Sequence, residues 1–182
     1  SACMACKRSA VRSRLAPPNF KKTVSWTVFL CLKFAILADS VSSLTKEGCR
    51  MFELHPQLNE DSRLIASLGS SDWLLMNDAR FVWLAQVPRH PDAQLLVHLP
   101  SELRQEVRAE SDLVVEILRS LFNPDQINVA QIGNVVSQLH IHHVARFKDD
   151  ALWPKPIWGQ TPAQPYREAE YRDRLTLLRA HF

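Results

Sequence analysis

The chain has 182 residues, 46% of them hydrophobic and 23% charged, a composition that excludes collagen-like, mucin-like and wholly disordered proteins and suits one domain with its own core. The net charge of +3 is uneven, because residues 1–50 carry 9 Lys/Arg against 2 Asp/Glu and residues 51–182 carry 13 against 17. An acidic, cysteine-free body offers no basic face to duplex nucleic acid and no disulfide framework.

All four cysteines (Cys3, Cys6, Cys31, Cys49) precede Met51 and all seven histidines follow it, so the composition breaks near that residue. Residues 1–50 open with scattered cations, pass through the apolar run 23–32 and reach small residues near Ala38. The pattern superficially matches a secretory signal. Lys33 interrupts the run, which is too short for a bilayer span of about 20 apolar residues. Cys3 and Cys6 form a Cys-x-x-Cys pair, but Cys31 and Cys49 stand at no spacing that completes a four-ligand zinc site. The expectation is a basic leader outside the fold, a folded unit over 51–182 with a C-terminal arm from about residue 150, and no membrane partner.

In chain order, residues 59–68 are acidic in front, apolar behind and closed by Gly69, which predicts a short helix. Residues 72–76 and 80–87 are apolar runs separated by the turn-forming Asn77-Asp78-Ala79, and predict an antiparallel hairpin. Residues 93–99 predict a short strand or an extended link. From Ser101, an expected N-cap, Leu103, Val107, Val114, Leu118 and Leu121 share a helix face to about Phe122. Residues 127–132 and 136–145 predict two strands joined by a tight turn at Gly133-Asn134. Residues 166–180 predict a charged surface helix. The order implies an α+β domain with a mostly antiparallel five-stranded sheet, one long helix, a short N-terminal helix and a C-terminal helix.

The unusual chemistry lies in Gln138-Leu139-His140-Ile141-His142-His143. In a strand, Gln138, His140 and His142 line one face and Leu139, Ile141 and His143 the other, with neighbours in a row about 6.5–7 Å apart. That spacing suits groups that touch different atoms of one phosphate-bearing ligand. Three readings are open. The histidines can be polar residues on an exposed sheet face. His140 and His142 can be metal ligands, with Asp149 or Asp150 as a third, although no familiar ligand spacing accompanies them. Or a neutral imidazole can act as a nucleophile toward phosphorus.

The segment QLHIHHVARF resembles the signature of the histidine triad (HIT) superfamily, His-φ-His-φ-His-φ-φ with φ apolar. INVAQIGNVVSQLHIH resembles the strands leading into the triad, LLMNDARFVWLAQVPR the family's early hairpin, and ARFKDDALWPKPIWG a branch of small hydrolases of the diadenosine tetraphosphate type. The resemblance covers roughly residues 52–160. It implies a metal-independent, cofactor-free and cytoplasmic nucleotidyl hydrolase or transferase, usually a homodimer, with a nucleotide or dinucleoside polyphosphate substrate. By the same resemblance His140 is the nucleophile, His142 hydrogen-bonds a phosphate oxygen, Asn128 helps hold the phosphate, and Asp78 is a candidate for the ribose hydroxyls.

The first triad position is Gln138, whose amide can hydrogen-bond but cannot deliver a proton. Phosphoanhydride substrates are therefore favoured over phosphoramidates, whose amine must be protonated to leave. A nucleotide-binding protein with little turnover is the alternative, and a metal-dependent hydrolase a further one. His143 occupies a position where the pattern has an apolar residue and reads as a satisfied core or strand-end histidine. Trp153 and Trp158 either pack an arm on the sheet or close over a ligand. Arg80, Arg89, Arg146 and Lys148 are cations that can meet phosphate or simply be solvated.

Overall fold

The computed structural model describes residues 51–160 and 162–182. The expectations for residues 1–50 lie outside the described residues. The elements are α1 (Pro56–Glu60), β1 (Ser62–Leu68), β2 (Ser71–Met76), β3 (Val82–Pro88), α2 (Ser101–Phe122), β4 (Gln126–Gln131), β5 (Ile141–Arg146) and α3 (Glu168–Arg179). The strands form one sheet in the order β1-β2-β3-β5-β4, with every neighbouring pair antiparallel.

The inner strands β2, β3 and β5 are almost wholly buried, whereas the edges β1 and β4 are not. The difference follows from the two covers. Trp73, Leu75, Val82, Leu84 and Ala145 pack with Val114 and Leu118 of α2 and with Tyr171, Leu175 and Leu178 of α3. On the opposite face, Leu74, Met76, Ala85 and Val87 meet Leu58 of α1 and Val136, while Val144 and Phe81 meet Ile157 of the C-terminal arm. A strand covered on both sides reads as a continuous apolar run rather than an alternation, which is why 72–76 and 80–87 are conspicuous in the sequence.

The predicted hairpin is present, with Leu75 opposite Leu84. The predicted helix over 59–68 is not: α1 ends at Glu60 and residues 62–68 are strand β1. The register shifts between Leu64 and Ala66. Such a bulge places consecutive apolar residues out of period-2 alternation and imitates helical spacing. Arg179 of α3 donates to the carbonyls of Leu64 (2.6 Å) and Ile65 (3.2 Å), satisfying acceptors at the bulge. Gly69, at φ +52°, turns β1 into β2 instead of ending a helix, and a side chain there would run into Glu110.

Helix α2 has the predicted extent, with Asn123 in the left-handed conformation as its C-cap. Its N-cap is Pro100, without a side-chain hydrogen bond, so Ser101 is the first helical residue and not the expected cap. Residues 93–99 hold only a 3-10 turn at Leu96–His98. Helix α3 is more than a surface helix, because its Tyr171 hydroxyl donates to the Leu75 carbonyl at 2.6 Å and Leu178 is fully buried. No helix among the described residues is long and apolar enough to cross a membrane.

The largest departure lies before the histidines. Gln131 pairs with Ile141, so residues 132–140 form a long loop rather than a tight turn at Gly133-Asn134. Leu139 is still pinned, its N–H donating to the Ala93 carbonyl at 2.8 Å and its side chain packing beside Val107. The predicted alternation of faces therefore survives outside the strand: Leu139 and Ile141 pack toward α2, while His140 and His142 turn to the opposite side.

Candidate active site

His140 and His142 line one cavity of about 550 Å³, shared with Asp78, Trp83, Val136 and Trp158. Their rings lie 4.8 Å apart between centroids, edge to face. The partners of the ring nitrogens determine what each imidazole offers. His140 Nδ1 is 2.7 Å from the main-chain oxygen of Gln138. A carbonyl only accepts, so Nδ1 carries the hydrogen and Nε2 of the neutral ring keeps its lone pair. His142 Nδ1 is 3.0 Å from Trp83 Nε1. An indole only donates, so His142 Nδ1 accepts and its proton lies on Nε2. The cavity thus pairs a nucleophilic nitrogen with a hydrogen-bond donor.

Burial, with smaller contributions from the neighbouring His140 and His143, pushes the His142 pKa down to about 3, so its ring is neutral near pH 7. His143 points to the other face under α2, where Ser111 Oγ lies 2.6 Å from its Nε2 and Trp73 packs at 5.0 Å. Its Nδ1 lies 3.2 Å from the Ile141 carbonyl, which makes it the satisfied core histidine expected. Burial lowers its pKa to about 4.

Both histidines have folded pKa values below the ordinary 6.5. As the pH falls below 6.5 the unfolded chain binds protons that the folded chain refuses, and stability is lost until the folded values of about 4 and 3 are reached. The loss is at most about 1.4 kcal/mol per pH unit for each histidine. Urea midpoints of wild type should fall steeply between pH 6.5 and 4.5, and His143→Gln, although weaker at pH 7.5, should show a shallower dependence. Parallel slopes in the two proteins would contradict the assignment.

The other site candidates are distributed unevenly. Asp78 is on the cavity wall and 2% exposed. Its Oδ1 accepts from Arg80 Nε (2.9 Å) and its Oδ2 from Arg80 Nη2 (2.6 Å), so a sugar hydroxyl would meet an ion pair rather than a bare carboxylate. Asn128 lies in β4 opposite Val144. It borders a neighbouring depression with Pro154, Pro156 and Trp158, not the histidine cavity, and its Oδ1 accepts from Arg146 at 2.9 Å. Gln138 does not line the histidine cavity either: its amide bonds to the main chain of His55 and Glu53. Of the five residues expected at the site, the fold brings His140, His142 and Asp78 together.

Arg146 is neither a phosphate ligand nor a solvated cation. It is 1% exposed and forms a two-pronged bond to Asp150, Nε to Oδ2 at 2.7 Å and Nη2 to Oδ1 at 3.0 Å. Nη2 also donates to the Lys155 carbonyl at 2.9 Å, so the guanidinium staples the arm to the sheet. Burial pushes the Asp150 carboxyl upward, but hydrogen bonds from Arg146 and from the Leu152 and Phe147 amides outweigh it and hold the pKa below the ordinary value. The arm brings Trp158 to 5.8 Å from the His142 ring, while Trp153 stacks near Arg146. Trp83, which sets the His142 tautomer, was not singled out in the sequence. Its signal, the pairing of β3 with β5, is not written in either strand alone. Among the described residues no group of three or more His, Cys, Asp or Glu is placed to hold a metal ion.

An antiparallel α+β sheet that presents two adjacent imidazoles to a cavity defines a protein with a histidine-centred site. The HIT domain model matches residues 57–149. Three solved histidine triad proteins are similar in structure and sequence. Those from Sinorhizobium meliloti 1021 and Bradyrhizobium japonicum are each 34% identical, with TM-scores of 0.69 and 0.70. The one from Marinobacter aquaeolei VT8 is 38% identical, with a TM-score of 0.67. Each match covers 72% of this chain and 97% or 98% of the other. No curated protein matches the chain. The chain belongs to the HIT family and has the fold of its solved members.

Proposed function

We propose that this protein is a nucleotidyl hydrolase or transferase acting on phosphoanhydride-linked nucleotides of the dinucleoside polyphosphate kind, through a nucleotidyl-histidine intermediate at His140. The observation that carries this reading is the pair of ring hydrogen bonds, His140 Nδ1 to the Gln138 main-chain oxygen and Trp83 Nε1 to His142 Nδ1, which leave His140 Nε2 as the acceptor and His142 Nε2 as the donor of two rings lining one cavity. Nε2 of His140 attacks the α-phosphorus, a bond forms between them, and the P–O bond to the leaving phosphate breaks. The His142 N–H stabilises the charge growing on a phosphate oxygen. Water then attacks the same phosphorus, the N–P bond breaks, the nucleoside monophosphate leaves, and the proton of the water passes to solvent. Two displacements replace one difficult attack by water.

A phosphoanhydride suits this cavity, because its leaving group departs as a stabilised anion, whereas an amine needs a proton that Gln138 cannot supply. The Asp78–Arg80 pair is the proposed ribose end. Asn128, which borders the neighbouring depression and accepts from the buried Arg146, is left out of the phosphate contacts in this reading. By the same family reading the protein is a cytoplasmic homodimer whose working domain is residues 51–182. The occupied amide of Gln138 also favours a second reading, a nucleotide-binding protein of little turnover.

Denaturing mass spectrometry of the full chain, mixed for seconds with diadenosine tetraphosphate, separates the two. Wild type should carry one adenylyl group and His140→Gly none. Absence of both adduct and product with adenylated and other nucleotidylated substrates would defeat the nucleophile reading.

A further inference from the structure

Gln138 stands where the triad pattern has its first histidine, yet its side chain is engaged away from the cavity. Oε1 accepts from the main-chain N–H of His55 at 2.9 Å, and Nε2 donates to the Glu53 carbonyl at 2.8 Å. A primary amide can accept and donate in this way along one stretch of backbone, as a neighbouring strand would. A neutral imidazole also has one donor and one acceptor, but on opposite sides of a rigid ring.

The stretch so gripped runs directly into α1 at Pro56. Gln57 and Leu58 of that helix, with Asp61 at its end, form one wall of the histidine cavity. A helix of five residues has little stability of its own, so its position depends on what holds it. Leu58 anchors it in an apolar cluster, and the Gln138 amide holds the segment that enters it. The main-chain oxygen of the same Gln138 orients His140 through the 2.7 Å bond to Nδ1. One residue is therefore bonded by its side chain to the segment that leads into the cavity wall and by its backbone to the proposed nucleophile.

We propose that Gln138 is a positioning residue, a clasp that seats the α1 wall of the cavity against His140, and that it donates no proton in the reaction. Its effect on turnover rests on the reading of His140 as nucleophile; the clasp itself does not.

Two variants test this: Gln138→His, which restores the residue of the family pattern, and Gln138→Met, which keeps the length and removes both bonds. The amides of Asn59 and Asp61, bonded to the His55 and Gln57 carbonyls, should exchange with deuterium faster in both variants, on the order of tenfold for the loss of the hydrogen bonds. With diadenosine tetraphosphate, KM should rise by a similar factor while kcat changes less, and circular dichroism should retain the native spectrum. Neither variant should gain turnover of a nucleoside phosphoramidate. Phosphoramidate turnover gained by Gln138→His would overturn the proposal and make the position a proton-donor site. Unchanged exchange, or unchanged KM, would also overturn it. If wild type turns over no nucleotide, the catalytic reading fails by itself. Exchange, with the Kd of adenosine monophosphate in place of KM, then decides the clasp.

Discussion

Replacing His140 with alanine should lower kcat for diadenosine tetraphosphate by on the order of 10⁴-fold or more, the scale found when a covalent nucleophile is removed. KM should move far less. The reason is local: His140 is held by one main-chain bond to Gln138 and by ring contact with His142, so truncation leaves the sheet intact and opens space in a cavity that already exists. His142→Ala should cost less, on the order of 10² to 10³-fold, because it deletes a donor to the transition state and not the attacking atom. It also leaves the partly buried Trp83 N–H without its acceptor, so its melting temperature should fall more than that of His140→Ala. Steady-state kinetics beside thermal melts of the same samples check both statements. A His140→Ala protein within tenfold of wild type in kcat would remove the case for a covalent intermediate.

The second large effect is on stability. Arg146→Met should destabilise the protein by about 3–5 kcal/mol, the usual consequence of leaving one member of a buried ion pair uncompensated. Asp150 would keep a nearly buried carboxylate with only backbone amides as donors, and Asn128 and the Lys155 carbonyl would lose their partner. The double replacement Arg146→Met with Asp150→Leu should recover part of the loss, since removing both charges removes the desolvation problem with them. A urea double-mutant cycle measures the coupling, and near-additive losses would refute the staple. Activity should track the arm: Ile157 and Trp158 border the cavity, so Arg146→Met should also raise KM under conditions where it remains folded.

The histidine motif was legible in the sequence because its chemistry is local. Period-2 alternation assigns His140 and His142 to one side and His143 to the other whatever the rest of the chain does, and the packing agrees. The central strands and α2 were legible for a similar reason, since burial on both faces or on one helical stripe leaves a strong apolar pattern. Strand β1 was not, because its bulge destroys the alternation on which such a reading depends.

What only the tertiary structure decided is everything set by partners far apart in the chain. The His142 tautomer depends on Trp83, 59 residues away. Gln138 reaches the backbone 83 and 85 residues earlier, and its composition, a polar residue in a polar row, gives no hint of that reach. Asn128 belongs to the right strand by sequence, but the buried Arg146 claims its oxygen and it borders a different depression, shared with Pro154 and Pro156 of the arm. A hydrogen bond is a pairing of two groups whose distance is set by the whole fold, whereas a residue's face on a strand is set by its immediate neighbours. The sequence by itself therefore determined which residues could do the chemistry, and the fold decided which of them meet.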